Sequence, residues 1–203
     1  MPSINNLGAE FPNLSVETQL GHLRVWDYQG DAWLVFFSHP NDYTPVCTTE
    51  LGEAARHESN FMQRGVKLMA LSCDSVDDHI GWIADIAAAS GSTVNFPIIS
   101  DANREIAVLL GMLDDDEKDS AGIPATVRKL FIVGPDRKIK LVITYPTAVG
   151  RSFPEILRVI DALQLAAKFP LATPVNWERG GDVMIQPTVS DADAKVRHRS
   201  RDS

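Results

Sequence analysis

The chain has 203 residues, of which 44% are hydrophobic and 23% are charged, and its formal net charge is −8. This composition is typical of a globular protein, and the acidic balance argues against a nucleic-acid partner. No apolar run approaches the roughly 18 residues that cross a bilayer, and no signal peptide is evident, so we expect no membrane partner. The two cysteines do not support a disulfide scaffold, which predicts a reducing, cytoplasmic location.

Apolar runs and helical patterns alternate along the first half of the chain, with Pro and Gly between them. Continuous apolar runs predict buried strands, and Asp or Ser before a helical pattern predicts an N-cap. The predicted elements are, in chain order, a loop over residues 8–14, a strand at Gly21–Tyr28, a strand at Ala32–Phe37, a helix from Val46 to Phe61, a strand at Val66–Ser72, and a helix at Val76–Ala89 capped by Asp74 and Ser75.

The second half adds a hairpin and a closing amphipathic helix. Strands that alternate with helices, followed by these two elements, predict an α/β fold with helices on both faces of a mixed central sheet. The predicted elements are a short strand at Phe96–Ser100, a helix at Asn103–Leu110 capped by Asp101, a solvated acidic loop at Asp114–Glu117 that we do not interpret as a metal site, a strand at Thr126–Val133, its hairpin partner at Lys138–Tyr145, and a helix at Phe153–Ala167.

The pattern weakens after Phe169, where prolines and paired glycines become frequent. We therefore predict one main domain over residues 1–169 and a small C-terminal extension over residues 170–203. The last stretch, residues 191–203, is polar and predicted to be mobile.

One cysteine, Cys47, lies at a position that can increase the reactivity of its thiol. Cys47 follows the strand Ala32–Phe37 and a loop stiffened by Pro40 and Pro45, and it falls in the first turn of the next helix. Free backbone N–H groups and the helix dipole favour an anion in that turn, so the position favours a reactive thiolate. The hydroxyl of Thr44 can donate or accept a hydrogen bond beside the sulfur. Position alone leaves the alternative open that Cys47 is a small buried apolar residue.

The segment from His39 to Glu50, with the spacing Pro40, Thr44, Cys47, resembles the active-site segment of peroxiredoxins. The segments Leu71–His79 and Ala172–Trp177 resemble the one-cysteine subfamily more narrowly. The similarity extends from Gly8 to about Asp193. It implies a thioredoxin-like fold, thiol peroxidase activity without a cofactor, and homodimers or rings of dimers, for which the predicted edge strand Lys138–Tyr145 offers a pairing surface.

The resemblance also implies a role for each matching residue. Cys47 would attack hydrogen peroxide or an organic hydroperoxide and become a sulfenic acid, while cationic donors stabilise the oxygen that leaves. The matching positions are the peroxidatic Cys47, Thr44 and Pro40 around its pocket, Arg128 beside the thiolate, Glu50 that orients this arginine, the second active-site arginine Arg151, and the pocket histidine His39.

Each of the basic residues also has an ordinary structural interpretation. Arg128 lies in a predicted strand, where a cation is unusual unless it is paired, so we favour a functional role. Arg151 precedes a helix and could be a surface residue. His39 could serve packing or hydrogen bonding as readily as catalysis.

The sequence also departs from relatives of the family. Cys73 does not match the resolving cysteines of two-cysteine members, and we interpret it as a packing residue, so an external thiol reductant is expected. Some one-cysteine relatives carry a serine nucleophile for acyl hydrolysis. This chain has Ala32 at that position and Trp26 at the histidine position, which predicts no phospholipase activity.

Two other function classes remain open from the sequence. A cysteine hydrolase would need a histidine base beside Cys47, and His39 is the candidate nearby in sequence. A non-enzymatic redox sensor or holdase could use the oxidation of Cys47 as a switch. A fast, Cys47-dependent reaction with peroxide would separate the peroxidase from both.

Overall fold

A computed structural model of the chain describes residues 6–118 and 122–185. Its helices are α1 (Val25–Gln29), α2 (Pro45–Arg56), α3 (Glu58–Gln63), α4 (Val76–Ser90), α5 (Glu105–Leu109) and α6 (Phe153–Lys168). Its strands are β1 (Ser15–Thr18), β2 (Gly21–Arg24), β3 (Trp33–Ser38), β4 (Val66–Ser72), β5 (Ile98–Ser100), β6 (Leu113–Lys118), β7 (Pro124–Thr126), β8 (Arg128–Val133), β9 (Ile139–Tyr145), β10 (Leu171–Ala172) and β11 (Met184–Ile185).

Seven of these strands form one mixed sheet in the order β2-β1-β5-β4-β3-β8-β9. Strands β3, β4 and β5 run parallel, whereas β8 is antiparallel to β3 and β9 is antiparallel to β8. In the described part of the chain β9 is an edge strand. The predicted mixed α/β sheet is confirmed, and it sets β8 directly beside the strand that leads to Cys47.

Buried apolar side chains fill the centre of the sheet. The side chains of β3 from Leu34 to Phe37 are fully buried, as are those of β8 from Phe131 to Val133. Phe11 lies over this region, with its ring centroid 5.1 Å from that of Phe36 and 5.6 Å from that of Phe131. Each buried aromatic or aliphatic side chain of this kind stabilises a fold by about 1.5–3 kcal/mol.

Helices α2 and α4 pack closely. The predicted start of α4 is confirmed, since Ser75 accepts from the Asp78 N–H and the Asp78 carboxylate accepts from the Ser75 N–H in a capping box. A Cβ atom added to Gly52 of α2 would lie 2.5 Å from the Cβ of Ser90 in α4. Glycine at position 52 therefore allows the two helices to approach each other at this point.

The predicted strand Gly21–Tyr28 is wrong in its second half. The strand ends at Arg24, and Val25 begins helix α1 after donating its N–H to the Leu14 carbonyl at 2.9 Å. Strand β1 is not among the predicted elements. Its four residues include a single aliphatic side chain, Val16, and it forms a strand by pairing with both β2 and β5.

The acidic run Asp114–Glu117 is a strand and not the predicted loop. It lies within β6, which pairs with β7, so tertiary pairing overrides the low strand propensity of aspartate. Helix α5 begins at Glu105, two residues later than predicted. Its N-cap residue is Arg104 and not the predicted Asp101, although the Asp101 carboxylate accepts the N–H groups of Ile106 and Ala107 at 3.1 and 2.7 Å.

The chain divides into two compact units, Met1–Phe153 and Pro154–Ser203. The described part of the second unit contains most of α6 and the short pair β10–β11. Within it, Arg158 binds the Glu155 carboxylate and donates to the Trp177 carbonyl at 3.0 Å. The predicted boundary after residue 169 stays a prediction, and the predicted mobile tail lies outside the described residues. None of the helices in the described part is both long and apolar enough to cross a bilayer.

Candidate active site

Cys47 is the third residue of α2 and is fully buried. Strand β3 ends at Ser38, a loop over residues 39–44 follows, and Pro45 begins the helix with the φ angle that a first helical position needs. The Thr44 carbonyl accepts the Thr48 N–H at 2.9 Å, which starts the hydrogen-bond ladder. The thiol therefore lies in the first turn of the helix, where the dipole favours a negative charge.

A guanidinium group contacts this sulfur. Arg128 Nη1 donates to Cys47 Sγ at 3.5 Å. The arginine is the first residue of β8, and its Nε and Nη2 atoms donate to the Thr147 carbonyl at 2.9 and 2.7 Å. Its side chain is only 3% exposed, so these bonds fix the group in a poorly hydrated position.

Glu50 joins this arginine to a second one. One carboxylate oxygen, Oε2, accepts from Arg128 Nη1 at 2.7 Å and from Arg151 Nη1 at 2.8 Å. The other, Oε1, accepts the Arg151 backbone N–H at 2.7 Å. Arg151 also donates to the carbonyls of Ser38 and Lys129. Its side chain is fully buried, so it is not the surface residue that the sequence left possible.

The cluster carries an excess of positive charge beside the sulfur. Burial lowers the pKa of Arg151 to about 10, against the opposing effect of the Glu50 carboxylate, so the group stays cationic at neutral pH. Two guanidinium groups and one carboxylate leave one positive charge unbalanced. Because a buried charge is costly without a partner, this is an environment in which a negatively charged group would be stabilised.

The other two predicted pocket residues belong to the same loop. Pro40 is buried and Thr44 is half-buried at the N-cap of α2. The Thr44 hydroxyl donates to the Asn41 carbonyl at 2.9 Å, which leaves its lone pairs free to accept. Their predicted roles around the sulfur stay predictions.

The structure pairs His39 with another group. Its Nε2 atom lies 2.7 Å from Oδ1 of Asp42, and the second carboxylate oxygen lies 2.6 Å from Nδ1 of His79. Both histidines are fully buried, and the rings of His39 and Trp82 have centroids 5.2 Å apart. The described hydrogen bonds of the His39 ring are thus to a carboxylate and not to Cys47.

Asp42 and its neighbours form the one group of ionisable side chains, within the described residues, whose donor atoms could surround a cation. The atoms of His39, Asp42 and Asp74 lie within 4.8 Å of one another. Burial alone would raise the pKa of Asp42, but hydrogen bonds and charge from His39 and His79 lower it to about 2. The separations of 2.6 and 2.7 Å are those of charge-assisted hydrogen bonds, so the histidines satisfy this carboxylate without a metal ion.

The groups that position the arginines are not among the predicted site residues. The carbonyls of Thr147 and Ser38 act through the backbone, and no side-chain pattern signals such a role. Asp42 could have been found, because an acid three residues after His39 in a rigid loop is a plausible partner for an imidazole. No local pattern indicates that His79 lies beside Asp42.

Comparisons with known proteins show the family of this chain. Residues 7–142 match the model of the AhpC/TSA family, and residues 162–200 match the C-terminal domain of 1-Cys peroxiredoxin. Peroxiredoxin-6 of Rattus norvegicus is 53% identical over 199 residues, which cover 96% of this chain and 89% of the relative. The chain belongs to the one-cysteine peroxiredoxins. Peroxiredoxin-6 of Homo sapiens is 51% identical over the same shares of both chains.

Two solved structures extend the similarity to three dimensions. A mutant of peroxiredoxin 6 of Arenicola marina superposes with a TM-score of 0.91 at 51% identity, covering 94% of this chain and 88% of the other. A yeast mitochondrial 1-Cys peroxiredoxin gives a TM-score of 0.87 at 43% identity, covering 94% and 91%. The thioredoxin-like peroxiredoxin fold predicted from the sequence is confirmed, and the chain is a thiol-dependent peroxidase.

Proposed function

We propose that this peroxiredoxin reduces hydrogen peroxide or an organic hydroperoxide with Cys47 as the attacking thiolate. The observation that carries the proposal is the contact between Cys47 Sγ and Arg128 Nη1 at 3.5 Å in the first turn of α2. The cation and the helix dipole both favour the thiolate, which is the nucleophilic form of the side chain.

The reaction forms one bond and breaks another. The Cys47 sulfur attacks one peroxide oxygen, the S–O bond forms, and the O–O bond breaks. The departing oxygen takes a proton and leaves as water or an alcohol, while Cys47 becomes a sulfenic acid. Negative charge develops on that departing oxygen, and the Arg128 guanidinium, which contacts the sulfur, can donate a hydrogen bond to it.

The other site residues support this arginine. Glu50 fixes Arg128 and Arg151 through one carboxylate, and Arg151 fastens the end of β3 through the Ser38 carbonyl. Thr44 and Pro40 belong to the loop before the helix and shape the pocket. His39 belongs to the same loop and supports it through Asp42.

An external thiol would regenerate the enzyme. The first thiol condenses with the sulfenic acid, releases water and forms a mixed disulfide, and a second thiol then frees Cys47. Glutathione and a thioredoxin-type protein are the candidates, since the solved yeast relative is described as using these systems. Cys47 has no exposed surface, so access of peroxide and reductant to the sulfur requires a local movement of the structure around it.

The remaining expectations from the sequence belong to this proposal. A homodimer or ring of dimers, a cytoplasmic location, and the absence of phospholipase activity stay predictions. The described contacts give Cys47 an arginine and not an imidazole, so they favour the peroxidase over a cysteine hydrolase.

The test follows both halves of the cycle. Peroxide is added to the wild type, Cys47→Ser and Cys73→Ser, sulfenic acid is trapped with dimedone, and the labelled residue is located by mass spectrometry. Steady-state turnover is then measured with glutathione, a thioredoxin system and dithiothreitol. We expect labelling at Cys47, unaffected by Cys73→Ser, and turnover with at least one biological thiol. Labelling confined to Cys73, or no turnover with any thiol, would overturn the proposal.

A further inference from the structure

A buried polar array lies outside the contacts of Cys47. The carboxylate of Asp42 lies between two imidazoles, with His39 Nε2 at 2.7 Å and His79 Nδ1 at 2.6 Å. The Asp42 backbone N–H donates to Asp74 Oδ2 at 2.9 Å, and the Ser72 hydroxyl donates to the same oxygen at 2.7 Å. The three side chains of the His39–Asp42–His79 array are at most 1% exposed.

The carboxylate dictates where each imidazole carries its proton. With a pKa of about 2, Asp42 is ionised at neutral pH and can only accept hydrogen bonds. His39 must therefore carry a proton on Nε2, and His79 must carry one on Nδ1. The opposite nitrogens, His39 Nδ1 and His79 Nε2, are buried and have no hydrogen-bond partner within the described residues. A second proton on either ring would bury a donor without a hydrogen-bond partner, which is unfavourable.

The array also fastens the loop that precedes Cys47. His39 begins this loop and Asp42 lies in its middle, while His79 belongs to the first turn of α4. The adjacent Tyr43 has a left-handed φ of 57° and donates its hydroxyl to the Asp78 carbonyl at 3.2 Å. A non-glycine residue with such a φ is strained and needs contacts that stabilise it.

Helix α4 reaches the Cys47 helix at a second point. Trp82 Nε1 donates to the hydroxyl of Thr48, the residue after Cys47, at 3.1 Å. One face of α4 therefore contacts both the loop before the thiol and the turn that contains it. The contact between Asp42 and His79 is the most buried of these, so we expect it to contribute most to the position of the turn.

We propose that Asp42 and His79 are positioning residues for the peroxidase reaction, which fix the tautomer of His39 and keep loop 39–44 against α4 so that Cys47 stays against Arg128. The positioning role rests on the proposed function, because it acts on the reactivity of Cys47. Neither residue touches the reacting atoms in the described structure.

The wild-type protein gives the first test, which needs no substitution. Long-range ¹H–¹⁵N correlation spectra distinguish the two imidazole tautomers, and the chain has only five histidines to assign. We expect His39 as the Nε2–H form and His79 as the Nδ1–H form at neutral pH. A proton on Nε2 of His79, or on Nδ1 of His39, would overturn the inference.

Paired substitutions at position 79 test the effect on the reaction. Asparagine presents an N–H close to the position of Nδ1 and can still donate to Asp42, whereas leucine fills the space and cannot. We expect His79→Leu to slow peroxide reduction by Cys47 by about 10- to 100-fold, the loss typical of a small misplacement of reacting groups. His79→Asn is expected to recover most of that loss. His57→Leu, at the C-cap of α2 and outside the array, is the control.

The outcomes separate this inference from the proposed function. A wild type that does not react through Cys47 would defeat the proposed function. A wild type that reacts rapidly, with a folded His79→Leu variant that matches it, or with leucine and asparagine equally slow, would defeat only the positioning role. If the leucine variant does not fold, the tautomers of the wild type decide.

Discussion

Arg128 Nη1 lies 3.5 Å from Cys47 Sγ, although 81 positions separate the two residues in the chain. The sheet produces this contact. Strand β8 pairs with β3 so that Leu130 lies opposite Phe37, which sets Arg128 beside the end of the strand that leads to the Cys47 loop. Glu50 lies one helical turn after Cys47 and binds the same nitrogen at 2.7 Å. The thiol and its cation are thus positioned by one strand pair and one helix.

Replacing Arg128 tests the cation directly. Arg128→Ala should slow peroxide reduction by about 10²–10³-fold, the usual effect of removing one preorganised donor from a charged transition state. Arg128→Lys should recover only part of the rate, because lysine keeps the charge but loses the planar fork that binds Glu50 and Thr147 together. The measurement is the second-order rate constant by stopped flow, together with iodoacetamide alkylation of Cys47 at neutral pH.

An exposed arginine in strand β2 provides the control for that experiment. Arg24→Ala should leave both rates unchanged. If Arg128→Ala alkylated and reduced peroxide as fast as the wild type, the guanidinium would have no part in activating the sulfur.

Replacing Glu50 tests the buried charge cluster. Glu50→Gln leaves two buried guanidinium groups without their carboxylate, so we expect the free energy of unfolding to fall by about 3 kcal/mol. Glu53→Gln on the same helix is the matched control, since Glu53 is 35% exposed and pairs at the surface, where such pairs contribute about 0–1 kcal/mol. Urea titration of the three proteins measures the difference. Equal losses at both positions would contradict the assignment of Glu50 as the shared partner.

The Asp42 carboxylate predicts a pH-dependent contribution to stability. Its pKa falls from 3.8 to about 2 in the folded protein. The ionised carboxylate therefore stabilises the folded protein by about 2 kcal/mol at pH values above its unfolded pKa, and this contribution is lost as the pH falls through about 2. The free energy of unfolding of the wild type should exceed that of Asp42→Asn at neutral pH. This gap between the two proteins should narrow between about pH 4 and pH 2. A gap that stays constant over this range would show that the carboxylate is not charged in the folded state.

The central part of the fold could be predicted because its signals are local. The apolar run before Cys47 predicted a strand at Ala32–Phe37, one residue away from the observed β3, and Val66–Ser72 was predicted with its observed limits. Strand β6 could not be predicted in this way. Its acidic residues disfavour a strand locally, and only its pairing with β7 stabilises it.

The lack of a side chain at Gly52 allows α2 and α4 to approach each other closely. Gly52→Ala should destabilise the protein by about 1–3 kcal/mol, because the new Cβ would lie 2.5 Å from that of Ser90. In a Ser90→Gly background that Cβ is absent, and the same substitution should be neutral or stabilising, since alanine favours a helix over glycine by about 1 kcal/mol. Thermal or urea unfolding of the four proteins in this double-mutant cycle gives the coupling. Additive effects would contradict the observed approach of the helices.

The candidate site shows a similar division between local and distant information. The sequence indicated the thiol, because a strand, two prolines and a helix start are local features. The arginine positions came from the family resemblance, and their contacts depend on the pairing of β8 with β3. The hydrogen bond between Asp42 and His79 joins a loop to a helix. The two residues are 37 positions apart, and no local pattern predicts such a contact.

The most direct measurement is the single-turnover reaction of the reduced protein with hydrogen peroxide, followed by stopped-flow fluorescence for wild type, Cys47→Ser and Cys73→Ser. The wild type and Cys73→Ser are expected to react at the same rate, far above that of an ordinary thiol, and Cys47→Ser is expected to show no fast phase. A fast phase that survives Cys47→Ser, or a wild type no faster than free cysteine, would contradict the assignment of Cys47 as an arginine-activated peroxidatic thiolate.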